Sequence, residues 1–138
     1  MLLYFTNKQI THLIITEKFT NYKLKNEDGF DEEDFIFVKS NLKKRKVFLN
    51  ELRYIEALGD YVKMVTEHDS LVVLSTMKAF EALLPKDRFL RIHKSYIVNL
   101  DKVIRYNSKV IELEKEELPL SRNRKTDLVQ ALAANNKD

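Results

Sequence analysis

Cysteine is absent from the chain, so no disulfide framework and no thiolate metal site can form. Histidine is scarce: His12, His68 and His93 are all there is, and no two stand at a metal-ligand spacing such as His-Glu-x-x-His. Glycine occurs only at Gly29 and Gly59. That excludes a Gly-x-Gly-x-x-Gly phosphate cradle, and no serine sits on a Gly-flanked elbow. A dispersed Ser-His-Asp triad would leave no local trace and stays open. No apolar run approaches the ~18–20 residues that a membrane-spanning helix needs. The N-terminal Met1–Phe5 lacks a basic leader and is soon interrupted by polar residues, which makes a poor secretory signal. These absences predict a cytoplasmic protein that is not an enzyme, holds no cofactor or metal and does not enter a membrane.

What is present suits one globular domain with a short extension. The chain has 138 residues, of which 44% are hydrophobic and 33% charged, enough for a packed core under a heavily charged surface. The net charge of +3 hides an asymmetry: residues 1–34 carry −3 and residues 35–138 carry +6. A basic body is compatible with a polyanionic partner, although many inert domains are as basic. Glu27, Asp28, Asp31, Glu32, Glu33 and Asp34 crowd around Gly29, which is linker chemistry. Met1–Phe5 and Leu13–Thr16 have strand character without forming a clear element. The expected division is an N-terminal extension over 1–34 and a folded domain over 35–138.

From Asp34 onward the pattern is mostly β. Phe35–Lys39 and Lys46–Leu49 read as a hairpin turning through Ser40–Lys44. Leu52–Leu58 alternates, with Tyr54, Glu56 and Leu58 on one face and Ile55 and Ala57 on the other. Gly59-Asp60 punctuates it, and Gly59 fits a turn needing positive φ. Tyr61–Thr66 and Leu71–Leu74 form the next hairpin. Met77, Phe80 and Leu84 then switch to helical spacing, after Ser75 as a plausible N-cap and before Pro85 as a stop. Strands resume at Phe89–Ile92, Tyr96–Asn99, Val103–Tyr106, Lys109–Leu113 and Leu118–Ser121. Asn123–Ala134 reads as a short final helix. Strands at this spacing predict a mainly β fold of eight to ten short antiparallel strands.

Four constellations carry charge. Arg88, Arg91, His93 and Lys94 fall close together with no acid between them. The His93-Lys94-Ser95 step breaks two apolar segments: a plain turn, or a turn that makes contacts. Lys94 suits a guanine edge or a phosphate, and His93 can donate or accept. Ser121-Arg122-Asn123-Arg124-Lys125 joins the last strand to the last helix. Arginine grips guanine or phosphate with two prongs, and asparagine can read adenine. Cations at a helix N-terminus oppose its dipole and ask for a counter-anion; the bland reading is an exposed helix start. Gly59-Asp60-Tyr61-Val62-Lys63 is a third loop, in which Asp60 would repel phosphate. Lys43-Lys44-Arg45-Lys46 is the densest run, and a solubilised hairpin tip that blocks edge pairing is favoured over phosphate contact.

Taken in order, Tyr54-Ile55-Glu56-Ala57, Gly59-Asp60-Tyr61, the Ser75-Thr76-Met77-Lys78 helix start, Arg88-Phe89-Leu90-Arg91-Ile92-His93-Lys94-Ser95-Tyr96-Ile97-Val98-Asn99 and Leu120-Ser121-Arg122 strongly resemble the LytTR DNA-binding domain, the output module of LytR/AlgR-type bacterial response regulators. The resemblance covers about residues 35–130. It implies about ten short strands in small antiparallel sheets, with one short internal helix and a short C-terminal helix. It also implies loops that enter successive major grooves of double-stranded DNA. Carried over by position, Lys94 and Arg122 would read bases, with a third reader among Asp60, Tyr61 and Lys63. Arg91, Ser95, Asn123 and Lys125 would hold phosphates, beside His93 and Arg124. The loop position that carries a polar reader in the family is Val62 here, which weakens direct base readout from this loop or passes that task to Tyr61 or Lys63.

The resemblance further implies a transcription regulator in a two-component system, paired repeat sites and a homodimer on DNA. Residues 1–34 are far too short for a receiver domain, so the expectation is either a fragment of a longer regulator, with its receiver or sensor pathway outside this chain, or a stand-alone domain regulated differently. Two rivals stand beside this reading. One is a small basic β domain whose Arg88–Lys94 and Arg122–Lys125 patches face an acidic protein partner. The other is RNA binding, which favours exposed aromatic platforms; here the aromatics mostly alternate into the expected core.

Overall fold

The computed structural model describes residues 3–5 and 34–135. The strand character of Leu13–Thr16 and the acidic linker up to Glu33 lie outside the described residues. By contact the chain divides into two compact units, Met1–Leu52 and Arg53–Asp138.

In the first unit, β1 (Leu3–Phe5), β2 (Phe35–Ser40) and β3 (Lys43–Phe48) form an antiparallel sheet in that order. Phe35, Ile36 and Val38 are buried, and the Asp34 carbonyl accepts from the Leu49 N–H at 2.9 Å. The β2–β3 turn is tighter than the expected Ser40–Lys44. Asn41 and Leu42 both take positive φ, 54° and 66°, the backbone a two-residue hairpin demands. The cationic run is therefore not a tip: all of Lys43–Lys46 lies within β3, an edge strand of this sheet. Lys46 Nζ sits 4.5 Å from the Phe35 ring centroid, a cation–π contact that ties this charge to the strand.

The second unit is built on a five-stranded antiparallel sheet in the order β6-β5-β4-β8-β7. Its strands are β4 (Leu52–Leu58, which begins at the division), β5 (Tyr61–Thr66), β6 (Ser70–Leu74), β7 (Phe89–His93) and β8 (Tyr96–Asn99). Alternation sorts the faces as the sequence predicts: Val62, Met64, Leu71 and Val73 are buried, while Tyr61, Val72 and Leu74 are exposed. The internal helix α1 spans Met77–Leu83. Its cap is Thr76, not Ser75: the Thr76 hydroxyl accepts from the Ala79 N–H at 3.0 Å, satisfying an amide the helix leaves open.

A smaller sheet follows, ordered β11-β10-β9, from β9 (Arg105–Tyr106), β10 (Val110–Glu112) and β11 (Glu117–Pro119). These strands are shorter than predicted; at the β9–β10 turn, Asn107 accepts from the Lys109 and Val110 amides, and β10 starts at Val110 rather than Lys109. The final helix α2 spans Lys125–Asn135. One core joins these parts. Tyr54, Ile92, Val98 and Leu100 of the large sheet and its exit pack with Ile111, Leu113, Leu118, Leu120 and Leu128. Arg53, nearly buried, is held by a two-pronged ion pair with Glu116. Among the described residues, the mainly β fold of small antiparallel sheets with two short α-helices is the one the sequence predicts.

Candidate nucleic-acid interface

Sheet topology decides which loops meet. β8 runs antiparallel to β4, with Glu56 opposite Tyr96. The end of β4 and the start of β8 therefore lie at one end of the sheet. The Gly59-Asp60 turn leaves that end of β4, and the Lys94-Ser95 turn enters β8 there. A backbone bond from the Ala57 N–H to the Ser95 carbonyl, 2.8 Å, ties the two. A second bond, from the Ser121 N–H to the Ile92 carbonyl at 2.8 Å, brings in the connection to α2. Two loops far apart in sequence are thus fastened at the root to a third, the β7–β8 turn.

The first loop depends on Gly59, whose φ of +65° is costly for a residue with a β-carbon. Asp60 and Tyr61 behind it are exposed, Lys63 is half-buried, and Val62 is 1% exposed. Val62 is thus a core residue, and the polar groups of this loop are its neighbours.

In the second loop a β-bulge lies between Arg91 and His93. It turns Ile92 fully into the core. The Ser95 N–H donates to His93 Nδ1 at 3.1 Å, which ties the ring to the turn backbone. Lys94 is exposed, while His93 and Ser95 are half-buried. Arg91 reaches sideways: its Nη1 donates to Glu81 Oε1 of α1 at 3.2 Å, and its Nη2 to the Lys94 carbonyl at 2.7 Å. Tyr96 closes the turn, with its hydroxyl donating to Glu56 Oε2 at 3.2 Å and its ring 5.9 Å from that of His93. Burial, then the Glu56 carboxylate beside it, pushes the Tyr96 phenol above its ordinary value.

The third loop starts as a 3-10 turn over Arg122–Arg124 and becomes α2 at Lys125. The α-helix begins two residues later than Asn123, because the Arg124 N–H bonds the Ser121 carbonyl in the tighter pattern. Arg122, Asn123 and Lys125 are exposed. Part of the counter-charge asked for at this helix start is internal: Asp127 lies in the first turn and meets Arg124 Nη1 at 3.7 Å.

The charged groups fall into two kinds. Arg91 and Arg124 are engaged with carboxylates. Lys63, Lys94, Arg122 and Lys125 have no ion-pair partner among the described residues. Lys94, Arg122 and Lys125 lie on loops and Lys63 near the start of β5, and unpaired cations gathered at one end of a sheet can attract a polyanion. Glu81 joins this region through Arg91. Its partner Arg91 lies across a helix-to-strand connection, and no local spacing signals that pair. Among the described residues no group of carboxylates and imidazoles could hold a metal ion, and no helix is long and apolar enough to cross a membrane.

Comparisons with known proteins bear on the family and the fold. The family model for the LytTr DNA-binding domain matches residues 43–133. The fold is similar to a solved LytTr DNA-binding domain of a methyl-accepting/DNA response regulator from Bacillus cereus. That match has a TM-score of 0.62 and 24% identity, and it covers 71% of this chain and 95% of that one. No curated protein sequence matches the chain.

Proposed function

This chain belongs to the LytTR family of DNA-binding domains, and we propose that it binds double-stranded DNA sequence-specifically to regulate transcription, as the output domain of a two-component response regulator. The carrying observation is the fastening of two loops to a third, the β7–β8 turn, by the Ala57–Ser95 and Ser121–Ile92 backbone bonds. Loops held at their roots present side chains in fixed directions, which selection of a base requires and general attraction to phosphate does not.

Lys94 and Arg122 read base edges in the major groove; an arginine fork or a lysine suits guanine O6 and N7. Tyr61 or Lys63 supplies a third contact, with Asp60 shaping the first loop. Asn123, Lys125, Ser95 and His93 lie beside the readers and hold the backbone. Lys and Arg contacts to phosphate supply most of the affinity. If about four to six phosphates are neutralised, log affinity falls against log salt with a slope of about −4 to −5. Paired repeats bound by two copies of the domain fit a compact site of this kind, since one copy offers few base contacts.

The test is selection of bound duplexes from a random library, with Arg122→Ala run beside the parent. The proposal expects an enriched motif, in two repeats about one helical turn apart, blurred at one position by the substitution. No enrichment at low salt would remove the sequence-specific reading and favour an acidic protein partner for the same cations.

A further inference from the structure

Arginine presents five donors on a rigid planar fork and stays charged, so the direction of the fork decides what it can bind. The fork of Arg91 is already occupied at both prongs, by Glu81 and by the Lys94 carbonyl. Its Nε is buried, and the side chain as a whole is 22% exposed. Around it the turn backbone is accounted for bond by bond. The Lys94 carbonyl accepts from Arg91, the Ser95 N–H donates to His93, and the Ser95 carbonyl accepts from Ala57. The Lys94 side chain is what this arrangement leaves free.

Two features make the arrangement a brace. The bulge between Arg91 and His93 breaks the strand ladder just before the turn, where a ladder would otherwise fix direction. Arg91 spans that gap. Glu81 in turn anchors it to α1, and Glu81 and Leu84, the residue just after α1, line a recess of about 140 Å³ together with Phe89, Arg91 and Ile97. We infer that Arg91 is a positioning residue: held by Glu81, it fixes the Lys94 carbonyl and so the direction in which Lys94 leaves the turn, and it makes no phosphate contact. This rests on the DNA reading proposed above. It reassigns Arg91 from the phosphate-holding role its resemblance implies, and it gives an acidic residue, Glu81, a part in base selection.

The experiment compares the parent with Arg91→Lys, Arg91→Ala, Glu81→Gln, the Arg91→Lys/Glu81→Gln pair and Lys94→Ala. Binding of a selected and a scrambled duplex is measured across a salt series. Amide exchange at Ser95 and Ala57 is measured in the free protein. Arg91→Lys keeps the charge and loses the fork. It is expected to lower the selected-to-scrambled ratio about tenfold, the order of a lost charge-assisted hydrogen bond. Scrambled binding and salt slope should stay as in the parent, and exchange at Ser95 and Ala57 should quicken. Glu81→Gln should move the same way, and the pair should add little to either single change. Lys94→Ala should lower the ratio without altering exchange.

The inference is overturned if Arg91→Lys behaves as the parent while Arg91→Ala weakens both duplexes alike and flattens the slope by about 1, which is how a phosphate contact behaves. It is also overturned if Glu81→Gln tightens both duplexes with the ratio intact, because a released Arg91 would then be binding DNA. A parent that does not distinguish the two duplexes contradicts the DNA-reading proposal instead. The exchange rates then decide the brace alone: quickening supports it, and unchanged rates overturn it.

Discussion

The β2–β3 hairpin and the three-loop end of the large sheet both concentrate positive charge, in opposite ways. Lys43–Lys46 is the densest cationic run in the chain, spread along an edge strand with Lys43, Lys44 and Lys46 exposed. The loop end has fewer cations per residue, but each loop root is held by backbone bonds. Charge density attracts a polyanion; fixed direction lets a side chain distinguish one base pair from another. In β3, successive side chains alternate between faces, and Lys46 is spent on Phe35. Charges along an edge also discourage pairing with another strand. The difference teaches that a site is found by asking which cations are both free and anchored, not which are most crowded.

The comparison can be broken at several levels. The largest effect should come from removing the support beneath the third loop. Leu128 is fully buried in the core under α2, and Leu128→Ala should cost about 2–5 kcal/mol of folding stability, measured by denaturant unfolding. Next come the proposed readers, Arg122 and Lys94. Arg122→Ala and Lys94→Ala should each cost about 1–3 kcal/mol of discrimination between selected and mismatched duplexes, while folding stability stays near that of the parent.

Alkaline pH should probe the support of the second loop. Burial leads the causes that raise the Tyr54 and Tyr96 phenols. A folded-state value raised above the unfolded one, ordinarily about 10, gives stability that is complete below that pH. It is lost as pH rises through the folded values. Unfolding midpoints should therefore fall across that alkaline window, and the fall should shrink in Tyr96→Phe. The smallest effect belongs to the hairpin: Lys43→Ala and Lys44→Ala should stay within about 0.5 kcal/mol of the parent in stability and leave duplex preference unchanged. A larger loss of preference from Lys43 than from Arg122 would reverse the assignment of the site.

Much of this architecture is legible in the sequence, because alternation and punctuation are local. Tyr61–Thr66 reads correctly from its buried Val62 and Met64, and Gly59 announces a turn with positive φ. The polar break at His93–Ser95 marks the second loop. What is not legible depends on partners distant in sequence. The β3 start was hidden because lysine and arginine carry weak strand preference, while pairing with β2 extends the strand through them. The cap at Thr76 rather than Ser75 turns on one hydroxyl bond. The engagement of Arg91 with Glu81 is set by how α1 packs beside β7, which no spacing in either segment encodes.

The central claim is that DNA meets the three anchored loops and not the cationic edge strand. The most direct measurement is a titration of the isotope-labelled protein with its selected duplex, followed by backbone amide NMR. The account predicts the largest shifts at Gly59–Lys63, His93–Ser95 and Ser121–Lys125, with Lys43–Lys46 little changed. Dominant shifts along Lys43–Lys46, with the loops unmoved, would contradict it.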